Sequence, residues 1–146
     1  MAVVYLGLGS NLGNREANLH RAIALMEERI GTLVKLSSMI ETEPEGFCSE
    51  HRFLNAAAAF TTRLAPDALL DETQSIEREL GRTQKSHDGI HYDRTIDIDL
   101  LLYYVEGSSV QLSTPRLKLP HPRMMERDFV LIPLREILDP ALCPEL

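Results

Sequence analysis

Two aspartates on one predicted strand, Asp97 and Asp99, are the residues whose types and spacing best suit chemistry. They alternate with Ile98, Leu100 and Leu102, which is the period-two pattern of a β-strand. Since the aliphatic face needs burial, the opposite face would carry both carboxylates, roughly 7 Å apart. At that distance the charges would repel by about 2 kcal/mol at an effective dielectric of about 20. A pair of hard cations such as Mg²⁺ would remove this repulsion; the alternative is an exposed edge strand whose aspartates are simply solvated.

Basic side chains concentrate in the same half of the chain, although the protein as a whole is acidic. Its formal net charge is −7 at pH 7, which argues against nonspecific binding to nucleic acids or anionic membranes. The basic residues of the second half include Arg82, Lys85, Arg94, Arg116, Lys118, His121, Arg123 and Arg127. Their position around an Asp-x-Asp strand predicts a site for a small, highly charged anion and its metals.

Length and composition predict one globular domain over residues 1–146, with 44% hydrophobic residues to form its core. No stretch approaches the ~20 apolar residues of a membrane span, and no basic leader suggests a signal peptide. Cys48 and Cys143 are far apart and lack the spacing of a zinc site or a disulfide framework. We therefore expect a reduced, cytoplasmic protein that needs no protein partner.

The hydrophobic periodicity predicts the order strand, helix, strand, strand, helix, strand, followed by a C-terminal tail. The predicted strands cover residues 2–8, 34–42, 53–62 and 95–102. The helices begin near Asn14 and Pro66 and end near Gly31 and Gly81. This is the split βαβ order of an α+β, ferredoxin-like domain with an antiparallel sheet and helices on one face. In the tail, we expect a short strand near 109–113, irregular chain over 115–122, and short helices over 124–138 interrupted at Pro133.

Three polar or glycine-rich features each allow two interpretations. The glycines at 7, 9 and 13 miss the dinucleotide spacing by one residue, so a tight turn with Asn14 as N-cap is favoured over phosphate binding. Asn55, among apolar neighbours, is either a structural hydrogen bonder or a match for the edge of a flat heterocycle. Gln74 and Glu77, one helical turn apart, are either solvent-exposed or functional.

Taken together, these residues resemble the 6-hydroxymethyl-7,8-dihydropterin pyrophosphokinase family of folate biosynthesis. The matching stretches are 7–11 (GLGSN), 41–44 (ETEP), 53–56 (FLNA), 81–82 (GR), 93–100 (DRTIDIDL), 119–121 (LPH) and 127–131 (RDFVL). Each stretch alone is weak, but their combination is highly specific and covers nearly the whole chain.

The resemblance implies transfer of the terminal pyrophosphoryl unit of ATP to the pterin hydroxymethyl group, leaving AMP. It implies that Asp97 and Asp99 hold two Mg²⁺ ions, and that these aspartates act in catalysis with Arg82 and Arg94. The residues that match ATP contacts are Gln74, Glu77, Lys85, Arg116, His121 and Arg127. Those that match the pterin site are Thr42, Phe53, Asn55 and Phe129.

The chain departs from many relatives in its second predicted loop, residues 82–93, which we expect to close over the substrates together with the first predicted loop, residues 43–52. There is no Trp in the sequence, so Tyr92 or His91 is the candidate for the missing aromatic. Gln84 and Asp93 stand where relatives carry arginine and proline.

Two other functions fit the residues without the resemblance. An Asp-x-Asp metal site also suits a phosphohydrolase or a nucleotidyl transferase. A ferredoxin-like domain can also be a binding module without catalysis, because this architecture hosts many functions.

Overall fold

The computed structural model describes residues 1–42, 52–81 and 95–142. Its strands are β1 (Ala2–Ser10), β2 (Gly31–Leu36), β3 (Ile40–Thr42), β4 (Phe53–Thr62), β5 (Asp97–Val105), β6 (Ser108–Ser109), β7 (Leu112–Ser113) and β8 (Lys118–Leu119). Its helices are α1 (Arg15–Arg29), α2 (Pro66–Glu79), a 3₁₀ turn (Met124–Glu126) and α3 (Asp128–Ile137). No helix in these ranges is long and apolar enough to span a membrane.

The described strands form a six-stranded antiparallel sheet in the order β2-β4-β1-β5-β6, with β3 also paired to β4, and a separate two-stranded sheet of β7 and β8. β2 and β3 together correspond to the second predicted strand, because both lie between α1 and β4 in the chain and both pair with β4. This is the split βαβ topology, so the predicted α+β, ferredoxin-like fold is confirmed. The central strand β1 pairs with β4 on one side and with β5 on the other. The two strands predicted to carry functional residues, β4 and β5, therefore lie on either side of β1.

Two apolar clusters lie on opposite faces of this sheet. The first packs α1 and α2 against the sheet through buried residues such as Leu19, Met26 and Ile76. The second packs α3 against the other face through Leu134 and its neighbours. The C-terminal segment thus adds a helix on the face that α1 and α2 leave uncovered.

The alternation predicted for the aspartate strand ends at a β-bulge. The register between β1 and β5 shifts, so that Leu6 pairs with Leu100 but Tyr5 pairs with Leu102. Leu101 is the extra residue, and it lies with Leu102 in the second cluster. The prediction that Leu102 shares a face with Ile98 is therefore wrong, because a one-residue bulge turns the rest of the strand over.

The predicted strand 34–42 is interrupted between β2 and β3. Ser37 bridges the break: its Oγ accepts a hydrogen bond from the Ala57 amide at 2.8 Å and donates to the Ser38 carbonyl at 2.9 Å. A second bulge near Leu33 and Lys35 leaves Val34 53% exposed, contrary to the alternation. The side chain of Ser37 thus replaces ladder bonds where the strand bends.

In the tail, two predictions about proline are wrong. Helix α3 continues through Pro133 instead of being interrupted there, because the buried apolar stripe around Pro133 outweighs one missing backbone donor. Residues 115–122, expected to be irregular, contain β8, which pairs with β7.

Candidate active site

A row of residues crosses the sheet from β4 to β5 at the end of β1. Gly9 pairs with Asn55 on one side and with Asp97 on the other. Two residues earlier on β1, Gly7 pairs with Ala57 and with Asp99. Directly paired residues point to the same face, and the strands lie about 4.8 Å apart. Asn55 and the two aspartates therefore share the face of the sheet that α3 covers in part. Between them, β1 contributes only the glycines Gly7 and Gly9.

The glycine at position 9 is required by the side chains around it. Strand β1 runs to Ser10, two residues beyond its predicted end, so Gly7 and Gly9 lie in the strand and not in a phosphate loop. A Cβ at Gly9 would lie 2.9 Å from Asn55 Oδ1 and 3.4 Å from the Phe53 ring. Both side chains therefore extend over Gly9. The turn that follows is closed by Asn14, whose side chain accepts from the Ala17 amide at 3.1 Å, as predicted.

The residues predicted to hold the pterin ring come together on this face. Asn55 Nδ2 donates a hydrogen bond to Thr42 Oγ1 at 2.5 Å, and Thr42 pairs with Phe53 across β3 and β4. Asn55 is buried, with 5% of its surface exposed. This bond fixes the amide with its oxygen turned towards Gly9. Phe129 packs half-buried against the second apolar cluster on the same face.

A pocket of about 300 Å³ lies along the edge of β5 that faces away from β1, next to Asp99. Three predicted site residues line it: Asp99, Arg116 and His121. Apolar side chains from α2 and from the segment after β7 form its walls, including Leu70 and Leu117. The pocket therefore combines an apolar surface with the carboxylate of Asp99, the guanidinium of Arg116 and the imidazole of His121.

His121 is held as a neutral imidazole. Its backbone amide donates to the Leu101 carbonyl at 2.9 Å, and its Nδ1 accepts from the Arg123 amide at 3.2 Å. Burial, followed by the charges of Arg127 and Arg123, lowers the pKa of His121, while Asp97 opposes the shift. Because Nδ1 is an acceptor in this arrangement, the proton lies on Nε2.

The two predicted arginines in this region have different surroundings. Arg127 lies over the ring of Phe129, 5.6 Å from its centre, which couples a predicted ATP contact to a predicted pterin contact. Arg116 is exposed and bonds to Asp71 of α2 at 2.5 Å. That hydrogen bond and the charge of Asp71 raise the pKa of Arg116.

Glu77 is buried, with 4% of its surface exposed, so the solvent-exposed interpretation is wrong for this residue. Its Oε2 accepts a hydrogen bond from the Ile98 amide at 2.8 Å. The sequence carried the signal, since Glu77 follows the buried Leu69 and Thr73 at intervals of four residues. Gln74 is half-buried on the same helix and does not line the pocket.

The family follows from comparison with known proteins. A family model described as 7,8-dihydro-6-hydroxymethylpterin-pyrophosphokinase (HPPK) matches residues 5–139. The chain belongs to this family. A relative from Porphyromonas gingivalis named 2-amino-4-hydroxy-6-hydroxymethyldihydropteridine pyrophosphokinase is 52% identical over 145 residues, covering 99% of this chain and 96% of the relative. One of the same name from Bacillus subtilis is 46% identical, covering 92% of this chain and 77% of the relative.

Solved structures agree on the fold. A structure titled as HPPK-DHPS in complex with substrates aligns with a TM-score of 0.65 at 15% identity, over 93% of this chain and 40% of that chain. A wild-type Plasmodium falciparum HPPK-DHPS aligns with a TM-score of 0.68 at 16% identity, over 94% and 40% of the two chains. The HPPK fold is thus shown over nearly all of this chain.

The aspartates of this HPPK chain suit a hard divalent cation. The cross-strand neighbours of Asp97 and Asp99 on β1 are glycines, so no side chain from that strand fills the space beside either carboxylate. Within the described residues, no group of three or more His, Cys, Asp or Glu side chains is placed to hold a metal. Carboxylate oxygens are the donors that Mg²⁺ prefers.

Three predicted site residues lie outside the described ranges. These are Arg82, Lys85 and Arg94. Residues 43–51 of the first loop lie outside them as well, as do the candidate aromatics His91 and Tyr92.

Proposed function

We propose that this protein transfers pyrophosphate from ATP to the hydroxymethyl group of 6-hydroxymethyl-7,8-dihydropterin. The products are the pterin diphosphate and AMP, and the reaction belongs to folate biosynthesis in the cytoplasm. The observation that carries the proposal is the row Asn55–Gly9–Asp97, which sets an amide for a flat heterocycle beside a pair of acidic side chains. The names of the relatives, which are pyrophosphokinases of this pterin, support the same reaction. We take residues 1–146 as one pterin pyrophosphokinase domain.

In this proposal, the pterin lies against Asn55 and Phe53, the two side chains that extend over Gly9. Asn55 pairs with the polar edge of the ring, and Thr42 orients Asn55 through the hydrogen bond between their side chains. Phe53 and Phe129 supply aromatic faces. The absence of a side chain at Gly9 leaves room for Asn55 and Phe53 to lie over β1, so the ring that they hold has its hydroxymethyl group towards β5.

ATP occupies the pocket along the edge of β5 that faces away from β1. The apolar walls around Leu70 and Leu117 suit the base, while Arg116, His121 and Arg127 contact the triphosphate. The Nε2–H of the neutral His121 donates to a phosphate oxygen without adding charge. The resemblance also implies ATP contacts at Gln74, Glu77 and Lys85, but Glu77 is buried and its Oε2 accepts from the Ile98 amide.

In the proposed complex, Asp97 and Asp99 would hold two Mg²⁺ ions. These ions would lower the pKa of the attacking hydroxyl and offset the charge that develops on the phosphates. The hydroxyl oxygen attacks the β-phosphorus, and the bond from that phosphorus to the α-phosphate oxygen breaks, so that AMP leaves. Arg82 and Arg94 stabilise the charge on the transferred group.

The test is the identity of the product and its dependence on the pterin. Purified protein with ATP, Mg²⁺ and 6-hydroxymethyl-7,8-dihydropterin should release AMP and the pterin diphosphate, and omission of the pterin should abolish AMP release. ADP or inorganic phosphate as the only product would instead indicate a phosphohydrolase. Pterin and ATP binding without turnover would indicate a binding module.

A further inference from the structure

Glu77 is a buried carboxylate that reaches the backbone of the aspartate strand. It lies on α2, and its Oε2 accepts from the amide of Ile98, the residue between Asp97 and Asp99. We propose that Glu77 is a positioning residue, which holds the edge of β5 so that both aspartates present their carboxylates to the divalent ions. This inference rests on the metal-binding role assigned to the aspartates in the proposed function.

The edge of β5 explains why such a residue is needed. One side of β5 pairs with β1 from Asp97 to Val105. On the other side, the strand pairing within the described residues covers only Tyr104 and Val105, through β6. In an antiparallel strand, successive amides point to alternate sides, so the Ile98 amide is directed away from β1. Glu77 therefore provides the acceptor for the Ile98 amide that the carbonyl of a further strand would otherwise provide.

The location of Glu77 makes this bond a rigid connection. Glu77 is 4% exposed, and its helical neighbour Ile76 is fully buried in the cluster that also contains Ile98. A carboxyl oxygen that accepts from a backbone amide in such surroundings forms a directional bond that is costly to lose. Mg²⁺ tolerates little departure from octahedral geometry, so a small shift of β5 would move both ligands out of place.

The first experiment compares Mn²⁺ affinity, measured by electron paramagnetic resonance with a nonhydrolysable ATP analogue present. Glu77→Met keeps the side-chain length but removes the acceptor, and should weaken Mn²⁺ binding by about tenfold or more, as loss of a residue that orients metal ligands does. Glu77→Gln keeps a neutral acceptor and should recover part of that loss. Glu77→Asp shortens the side chain by one methylene and so moves the carboxylate away from the Ile98 amide. It should weaken Mn²⁺ binding severalfold, and it replaces Glu77→Met in this test if that variant does not fold.

Thr73→Val is the matched control. Thr73 is also buried on α2, one turn before Glu77, but its hydroxyl donates to the Leu70 carbonyl within the helix. This variant should lower stability slightly and leave Mn²⁺ affinity as in the wild type. Hydrogen exchange of the Ile98 amide should accelerate in Glu77→Met and not in Thr73→Val.

Two results would overturn the inference. Wild-type Mn²⁺ affinity in Glu77→Met and Glu77→Asp would reject it, and a raised KM for ATP with unchanged Mn²⁺ affinity would assign Glu77 to the nucleotide instead. Asp99→Asn distinguishes this failure from failure of the proposed function. If Asp99→Asn binds Mn²⁺ as tightly as the wild type, the proposed metal site itself is wrong; if it loses Mn²⁺ and the Glu77 variants do not, only the positioning role is wrong.

Discussion

Asn55 and Asp97 pair with the same residue, Gly9, on the two strands that flank β1. With strands about 4.8 Å apart, their Cα atoms lie roughly 10 Å from each other across the sheet. Gly9 has no side chain to separate them. The proposed pterin and metal sites are therefore adjacent by strand register alone, without any loop having to bring them together.

The first prediction concerns Gly9. In Gly9→Ala, the new Cβ would lie 2.9 Å from Asn55 Oδ1, closer than such atoms approach, so Asn55 must move. Pterin affinity, measured by calorimetry with Mg²⁺ and a nonhydrolysable ATP analogue, should fall about tenfold, or 1.4 kcal/mol. Gly7→Ala is the control, because its Cβ would meet Leu101 at an ordinary 3.5 Å. Equal pterin affinity in the two variants would contradict the prediction.

The second prediction concerns Asp99. Asp99→Asn keeps the shape of the side chain but removes a charged oxygen ligand, so turnover should fall about a hundred- to thousandfold at saturating substrates. The melting temperature should stay close to that of the wild type, because Asp99 is not part of either apolar cluster. Glu28→Gln, an exposed acid on α1, is the control and should keep full turnover. Wild-type turnover in Asp99→Asn would favour a structural role for this residue.

The order of elements was predictable because local periodicity determines it. The apolar stripe of α1 and the apolar run of β4 are visible in the sequence, and β4 has the predicted bounds. The placement of Asp97 and Asp99 on one face also follows from alternation. Their relation to Asn55 depends on the register with β1, which no local pattern contains.

The incorrect predictions arise from contacts between distant segments. The bulge at Leu101 accommodates the register with β1, and the alternation within β5 does not reveal it. Pro133 is tolerated because burial against the sheet outweighs its missing donor. Glu77 was assigned to the nucleotide by resemblance, but its bond to the Ile98 amide required the packing of α2 on β5.

The third prediction concerns the bend between β2 and β3. Ser37→Ala leaves the buried Ala57 amide without the Oγ that accepts its hydrogen bond, and should lower the free energy of unfolding by about 1–3 kcal/mol. Urea denaturation measures this. Ser38→Ala is the matched control, since it removes an exposed hydroxyl bond to Glu136 at 2.8 Å and should cost less than about 1 kcal/mol. Similar losses in the two variants would mean that Ser37 does not replace a ladder bond.

The fourth prediction concerns the pH dependence of stability at His121. Burial, Arg127 and Arg123 lower the pKa of His121 in the folded state, whereas the unfolded chain has a value of about 6.5. As the pH falls below that value, the unfolded state binds the proton first, so stability present at neutral pH is lost. Urea midpoints from pH 7.5 down to about 5 should therefore fall more steeply for the wild type than for His121→Gln.

Arg123→Gln refines this test, because it removes one of the two repelling charges but keeps the backbone amide that bonds to Nδ1. The pKa of His121 should rise, and the loss of stability in acid should become shallower than in the wild type. Nitrogen NMR at neutral pH should find the proton on Nε2 in both proteins, because the Arg123 amide occupies Nδ1. A proton on Nδ1, or equal acid slopes in the wild type and His121→Gln, would show that His121 is not the neutral donor that the proposed triphosphate contact requires.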